Sequence, residues 1–448
     1  MNYKRKVDEI AKYFKKYEKS EKNFSIGVEL EHFIVDKETL KTVSYYDVDG
    51  VKDTLLELVS LGWKGKYEGE HILGLSKGDM TVTLEPGSQL ELSIKPYMNI
   101  ENIEKAYMSF LDEIIPILDS KGQTLITTGY QPESKISDIR MIPKKRYDYM
   151  FEYFKSKGKY AHNMMKGTAS VQVSVDFSSE EDYRKKFRII SALSPILYAM
   201  FDNSPFFEGE ITDKFCLRKK IWENCDSQRC GILDSVFDDS FGYEKYSEFI
   251  LNAPPIFIDD GKSITLTGNK LYKEIFNPDN YSIEELEHVL TMVFPDVRTK
   301  KYIEIRMMDA VPYPLNFSAI ALWKGILYNE TNLKLAHDYV KTLSKDDVYK
   351  ARLDITDKGI NAILKDEPIY EIGKWLINLA KEGLNQSEVK YLIPLEVMID
   401  SRIIPAQITK EKLSMGKREA LEWCFVNNSI NRGDEIWIHK NLLTNILR

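Results

Sequence analysis

Several things are scarce in this sequence, and each shortage narrows what the protein can be. Cysteine occurs four times in 448 residues, as Cys216, Cys225, Cys230 and Cys424. That is too little for a disulfide framework and suits a reducing compartment, so a cytoplasmic location is expected. Cys225 and Cys230 have no second pair at zinc-finger spacing, which favours idle thiols over a metal centre. No apolar run approaches the ~20 residues of a membrane span, so no membrane partner is expected. The opening MNYKRKVDEIAKYFKKYEK is basic but lacks an apolar centre; it reads as an amphipathic helix, not a signal peptide. Basic excess is also missing. The formal net charge is -7, which gives no footprint for nucleic acid.

The common signatures of chemistry are absent too. There is no GxxxxGK[ST] loop and no GxGxxG after a strand, and Gly261-Lys262-Ser263 lacks the upstream glycine. HExxH does not occur, and the six histidines are scattered. Asp47-Val48-Asp49-Gly50 has only the start of a calcium loop and reads as a turn before a helix. No serine–histidine–acid assembly stands out.

What is present is ordinary globular material: 43% hydrophobic and 29% charged residues, enough for a large core. With no repeat and no long linker, residues 1–448 are expected to form one unit: a sheet-containing part over 1–315 and a mainly helical part over 316–448. The most informative stretch is MTVTLEPGSQLELSIK, residues 80–95. Thr81, Thr83 and Glu85 alternate with Val82 and Leu84; Gln89, Glu91 and Ser93 alternate with Leu90, Leu92 and Ile94. Period-2 alternation about Pro86-Gly87 predicts a hairpin of half-buried strands. A two-residue loop would pair Glu91 with Val82 and mix the faces. A three-residue loop, Pro86-Gly87-Ser88, pairs Glu91 with Thr83 and keeps one face polar.

Three more segments repeat the pattern. In 24–35, Glu29 and Glu31 oppose Ile26, Val28 and Leu30, and His32 falls on the apolar side. In 168–177, Thr168, Ser170, Gln172, Ser174 and Asp176 oppose Ala169, Val171, Val173, Val175 and Phe177. In 302–308, Tyr302, Glu304 and Arg306 oppose Ile303, Ile305 and Met307. Helices are expected over 51–61, 100–120, 143–156 and 179–202, a short strand over 125–129, and a loop-rich region over 203–280. Taken singly, each polar face is explained by contact with water. Together, crowded carboxylates on neighbouring strands repel, and something cationic must compensate. Hard divalent cations bind carboxylate oxygens, and Mg²⁺ recruits phosphates as further ligands. If the strands share one sheet, the face suggests a magnesium–nucleotide site. Arg146, Arg218 and Arg229 are candidates to hold anionic substrates. Tyr147, Phe177 and Trp222 are candidates to wall a small pocket.

These residues carry a family resemblance. The chain resembles the glutamate–cysteine ligases of plants and proteobacteria through IGVELEHF at 26–33, TLEPGSQLELS at 83–93, GYQP at 129–132 and MIPKKRYDYM at 141–150. The match continues through MMKGTASVQVSVDFSSEEDYRKKFR at 164–188, NSPFFEG at 203–209, RKKIWENCDSQRCG at 218–231, VFDDSFGYEKY at 236–246 and FPDVRTKKYIEIR at 294–306. The segments are collinear over roughly the first 310 residues. The resemblance implies an α+β, glutamine-synthetase-like fold: an antiparallel sheet with a polar active-site face, helices packed behind it and a helical C-terminal region. It implies the ATP- and Mg²⁺-dependent joining of the γ-carboxylate of L-glutamate to the amine of L-cysteine, through γ-glutamyl phosphate. It casts Glu29, Glu31, Glu85, Glu91 and Glu304 as metal ligands. Gln172 and Arg306 would contact nucleotide, with Glu304, Arg306 and Arg218 catalytic. Arg146 and Arg218 would clamp substrate carboxylate, and Tyr147, Phe177 and Trp222 would line the cysteine side.

The chain departs from the plant pattern at Gly167, where relatives carry arginine, and at MMDAVPY, 307–313, where they read GADGGPW. Residues 263–280 hold no cysteine, so no plant-type regulatory disulfide is expected. A monomer or weak homodimer is expected. Two other functions fit the same residues: a ligase joining glutamate to a different amine, and a catalytically silent ATP- or amino-acid-binding protein.

Overall fold

The alternation around Glu29 and Glu31 becomes the central strand of the structure, a computed structural model that describes residues 3–428. This strand, β1, spans Ile26–Asp36, with Ile26, Val28 and Leu30 buried. β2 (Lys64–Glu68), β3 (His71–Lys77), β4 (Met80–Leu84) and β5 (Leu90–Tyr97) follow as a meander. β6 (Gln123–Ile126) pairs with the far end of β1, and β7 (Val171–Val175) lies along the other side of it. Two short strands, Val297–Thr299 and Ile303–Ile305, complete a nine-stranded, wholly antiparallel sheet. From one edge the order is Val297–Thr299, Ile303–Ile305, β7, β1, β5, β4, β3 and β2, with β6 off this path.

The hairpin forms in the expected register. Leu84 pairs with Leu90 and Thr83 with Glu91, leaving Pro86, Gly87 and Ser88 as the loop. Ser88 takes a positive φ of 73°, and Glu85 N–H closes on Gln89 O at 2.9 Å. Gly87 is required by close approach: a Cβ there would lie 2.4 Å from the carbonyl oxygen of Lys166.

Helices in chain order are α1 (Tyr3–Lys15), α2 (Val51–Ser60), α3 (Ile100–Ser120), α4 (Lys145–Phe154), α5 (Ala161–Gly167), α6 (Glu180–Ala192), α7 (Ser194–Met200), α8 (Leu217–Glu223) and α9 (Tyr243–Leu251). The apolar face of the sheet packs on α3 and on the helix Leu315–Leu327, which is buried nearly throughout. His32 ends on this side, its Nε2 3.0 Å from the Tyr107 hydroxyl of α3. Further helices follow to Lys417–Leu421, as the expected helical region requires; its last residues, 429–448, lie outside those described.

Several expectations are corrected. The helix over 179–202 is two helices, because Pro195 cannot donate to the continuing ladder and the chain turns at Leu193. Its start is as expected: the Ser179 side chain accepts from Asp182 N–H, with Glu180, Glu181 and Asp182 in the first turn. The region 203–280 holds α8, α9 and a hairpin (Ile256–Asp259 with Ile264–Gly268), not mainly loop. β2, β3 and α5 were not foreseen. Gly167, the departure from the plant pattern, has no room for a side chain: a Cβ would sit 2.6 Å from the Tyr130 ring.

Candidate active site

The register places the carboxylates on one face. Glu31 stands directly opposite Glu91, and Thr83 continues that row on β4. In the next row Gln172, Glu29, Ser93 and Thr81 lie side by side. A third row runs from Arg298 through Glu304 to Ser174 and Gly27. Glu85 sits where β4 enters the loop, and Tyr147 of α4 donates its hydroxyl to Leu84 O at 3.2 Å and to Glu85 at 3.3 Å.

The hydrogen bonds divide the face into two electrostatic halves. Glu31 accepts from Ser170 N–H at 2.7 Å and from Gln172 Nε2 at 2.8 Å. Glu91 accepts from Thr83 Oγ1 at 2.9 Å and Ser93 Oγ at 3.3 Å. Among the described residues, no lysine or arginine forms an ion pair with Glu29, Glu31, Glu85 or Glu91. Burial, then repulsion from Glu85, raises the Glu31 carboxyl to about 7, against the opposing pull of Arg218 and Arg306. Burial and then Glu29, Glu85 and Glu31 push Glu91 well above the usual carboxylate range. Glu29 is raised as well, chiefly by burial.

Glu304 belongs to the other half and corrects an expectation. Arg298 Nε lies 2.6 Å from Oε2, Arg306 2.9 Å from the same oxygen, and Lys300 Nζ 2.7 Å from Oε1. Burial disfavours its charge, but these three cations outweigh it and hold Glu304 ionised, well below the usual range. Oε2 is taken by both arginines and Oε1 faces Lys300 without a directed hydrogen bond, so Glu304 anchors these cations rather than standing free as a metal ligand. Arg306 reaches across to donate to Gln172 Oε1 at 2.5 Å. Gln172 thus bridges Arg306 and Glu31, accepting from the first and donating to the second.

Two cavities open on this face. One, about 80 Å³, is lined by Glu31, Glu85, Tyr147, Arg218, Trp222 and Arg306, with an apolar side formed by Met150, Met164, Met165 and Phe294. It has room for a small side chain but not for a nucleotide. The other, about 380 Å³ and more open, lies over Glu29, Thr81, Ser93, Ser174 and Tyr302. Glu29 and Glu31, two residues apart on β1, therefore face different cavities. Arg218, on α8, is fixed by bonds to the carbonyls of Arg306 (3.1 Å) and Met307 (3.2 Å).

Phe177 and Arg146, expected at the site, fall elsewhere, as do Asp176 and Arg229. Phe177 is fully buried against the rings of Tyr183 and Tyr243, at 5.4 and 5.9 Å, on the apolar side of the sheet, so it walls no pocket. Asp176 is tied to Lys19 at 2.7 Å and to Ser25 N–H at 2.9 Å, a structural use. Arg146 lies beside Tyr147, its guanidinium against the Met292 sulfur at 3.7 Å, outside the residues lining either cavity. Arg229 is locked by Asp226 and the carbonyls of Met292 and Pro254. The four cysteines are free thiols.

Among the described residues no three carboxyl, thiol or imidazole groups converge to hold a metal unaided. The donor set nonetheless fits magnesium. It offers hard oxygens, with Glu31 facing Glu91 and no protein cation paired to either, and Mg²⁺ is usually held by one or two carboxylates with substrate phosphates completing its shell. Sequence reading missed Arg298, Lys300 and the methionines. The quoted segment FPDVRTKKYIEIR did contain the two cations, in strands too short to show alternation.

Comparison with known proteins places the chain in a family. The model of glutamate–cysteine ligase family 2 matches residues 25–404. The chloroplastic glutamate–cysteine ligase of Nicotiana tabacum is 32% identical over 410 residues, covering 89% of this chain and 78% of that protein. The chloroplastic glutamate–cysteine ligase B of Oryza sativa subsp. japonica is 32% identical over 400 residues, 87% of this chain and 80% of that one. The crystal structure of glutamate–cysteine ligase from Francisella tularensis in complex with AMP superposes with a TM-score of 0.59 at 12% identity, over 95% of this chain and 93% of that one. It shares the glutamine-synthetase-like fold. The expectation of a cytoplasmic location does not stand, because these plant relatives are named chloroplastic; cysteine content reports reducing conditions, not an address. No described helix is long and apolar enough to cross a membrane. With the family model matching most of its length, the chain belongs to glutamate–cysteine ligase family 2.

Proposed function

We propose that the protein uses ATP to join the γ-carboxylate of L-glutamate to the amine of L-cysteine, giving γ-glutamylcysteine, the first step of glutathione biosynthesis. Besides family membership, one observation carries this reading: a strip of carboxylates without ion-pair partners, Glu29, Glu31 and Glu91, runs between a large cavity and a small one. The large cavity has the size of a nucleotide site and the small one that of an amino-acid side chain. Activation of a carboxylate by phosphate must occur where the two meet.

The residues present explain each requirement. Arg306, held rigid by Glu304 and Gln172, and Arg218, held by two carbonyls, offer fixed positive charge to a substrate carboxylate. Glu31 and Glu85 line the small cavity beside Tyr147, so carboxylate charge stands where an incoming ammonium would be drawn. The thioethers and Trp222 give the small cavity an apolar wall that disfavours water beside the activated acyl group. Magnesium, when bound by Glu29, Glu31, Glu85 and Glu91, supplies neutralisation of phosphate charge.

The test is ADP release from Mg-ATP and L-glutamate with and without L-cysteine, followed by mass analysis. Cysteine-dependent ADP release with a γ-glutamylcysteine mass is expected. Release that requires another amine moves the substrate assignment within the same chemistry, and no turnover with any amine overturns the ligase reading.

A further inference from the structure

Glu304 is over-supplied with cations. One carboxylate faces Arg298, Lys300 and Arg306, and the nearest other anion on that side, Glu29, feels all three. Even with both carboxylates ionised, one positive charge is left over at this edge of the sheet. The three cations are not equivalent. Arg298 is 7% exposed and also donates to Val293 O; Arg306 is 11% exposed and also donates to Gln172. Both are held from two directions. Lys300 is 20% exposed and touches Glu304 alone among carboxylates.

Even that contact is incomplete. Lys300 Nζ is 2.7 Å from Glu304 Oε1, yet Oε1 has no hydrogen-bond partner of acceptable geometry. The ion pair is close but misdirected. Lys300 is two residues from Tyr302, which lines the open cavity, and its ammonium lies 5.8 Å from that ring's centroid. A lysine is a point charge on a flexible stem, suited to following an anion as charge moves, whereas the fixed forks of Arg298 and Arg306 are not.

We propose that Lys300 is a catalytic residue of the ligase reaction: its ammonium leaves Glu304 for the phosphate oxygens of the nucleotide in the cavity over Glu29 and Tyr302. The assignment rests on the ATP-dependent function proposed above. Glu304 stays ionised when Lys300 departs, because Arg298 and Arg306 remain on its other oxygen. The surplus charge is thus available without stripping a buried carboxylate of its partners.

The test compares ADP with adenosine, which share a base and sugar but not the phosphates. Both are titrated calorimetrically, with Mg²⁺, into wild-type protein, Lys300→Met and Lys300→Arg. ADP affinity is expected to fall tenfold or more in Lys300→Met, adenosine affinity to hold within twofold, and Lys300→Arg to recover most of the loss. Unchanged ADP affinity in Lys300→Met overturns the proposal. So does an equal loss for ADP and adenosine accompanied by a lower melting temperature, which makes Lys300 only a structural partner of Glu304. Absence of ADP binding by the wild type overturns the ATP reading itself and this inference with it. ADP binding that survives in the wild type while Lys300→Met behaves identically sinks the lysine assignment alone.

Discussion

Glu31 and Glu91 face each other across β1 and β5, and like charges directly opposite weaken a sheet. A fold tolerates such a pair when something else needs it. Replacing Glu91 by glutamine removes the repulsion while keeping the shape and the acceptor for Thr83. Glu91→Gln is therefore expected to melt, without metal, no lower than the wild type, while turnover drops by about 10- to 100-fold or more, the scale of losses at metal-supporting groups. Thermal melts and steady-state rates on the same preparation check both halves; a near wild-type rate removes Glu91 from the ligand set. Phe177 teaches the opposite lesson about single residues. Alternation in 168–177 already put it with Val171, Val173 and Val175, and the structure buries it with them. The pocket reading came from its residue type and from the resemblance, and the strand's own parity was the better guide.

At the level of elements, legibility followed periodicity. The hairpin register was readable because both strands alternate and only one loop length keeps their faces matched. β1 and β7 were readable for the same reason. β2, KGKYE, is an exposed edge strand with no apolar face to advertise it, and Val297–Thr299 is three residues long. The acidic half of the site was therefore visible in the sequence. The basic half, Arg298 and Lys300, was not, because pairing Arg298 with Glu304 depends on a hairpin too short to leave a pattern. The loop at Gly87 ties the hairpin to α5, where Lys166 O approaches the space of a Cβ at 2.4 Å. Gly87→Ala forces that backbone apart and shifts Glu85 against Tyr147. A destabilisation of about 1–3 kcal/mol is expected, the usual range for overpacking. The KM for amino-acid substrates should rise more than that for ATP, since the loop borders the small cavity and not the open one. Denaturant melts and substrate-resolved kinetics distinguish this from a global loss of fold.

Across the whole molecule, buried acids with raised pKa values and buried histidines with lowered ones set the response to pH. A carboxyl whose folded value lies above its unfolded one contributes stability that is full below about 4.5 and is lost as pH rises through the folded value. Glu31, raised to about 7, carries this sign, and Glu29 and Glu91 share it. Asp202, raised to about 7 by burial and then by its neighbour Asp309, carries it too, but packs away from the carboxylate strip. Glu304 has the reverse sign, and its contribution is present throughout the neutral range. The acids therefore contribute less stability at pH 8 than at pH 5, against an opposite contribution from His32, His288 and His337, whose burial lowers them to about 4 and which add stability as pH rises through about 6.5. Glu31 alone accounts for up to about 3 kcal/mol by the linkage between pKa shift and free energy. A cation bound to the ionised strip cancels the part that arises there and leaves the part from Asp202 untouched. Melting curves at pH 6 and pH 8, with and without Mg²⁺, separate the two. Stabilisation by Mg²⁺ should be larger at pH 8 and should shrink in Glu91→Gln, and the metal-free loss contributed by the strip should be smaller in Glu91→Gln as well. Equal stabilisation at the two pH values places the cation away from these carboxylates.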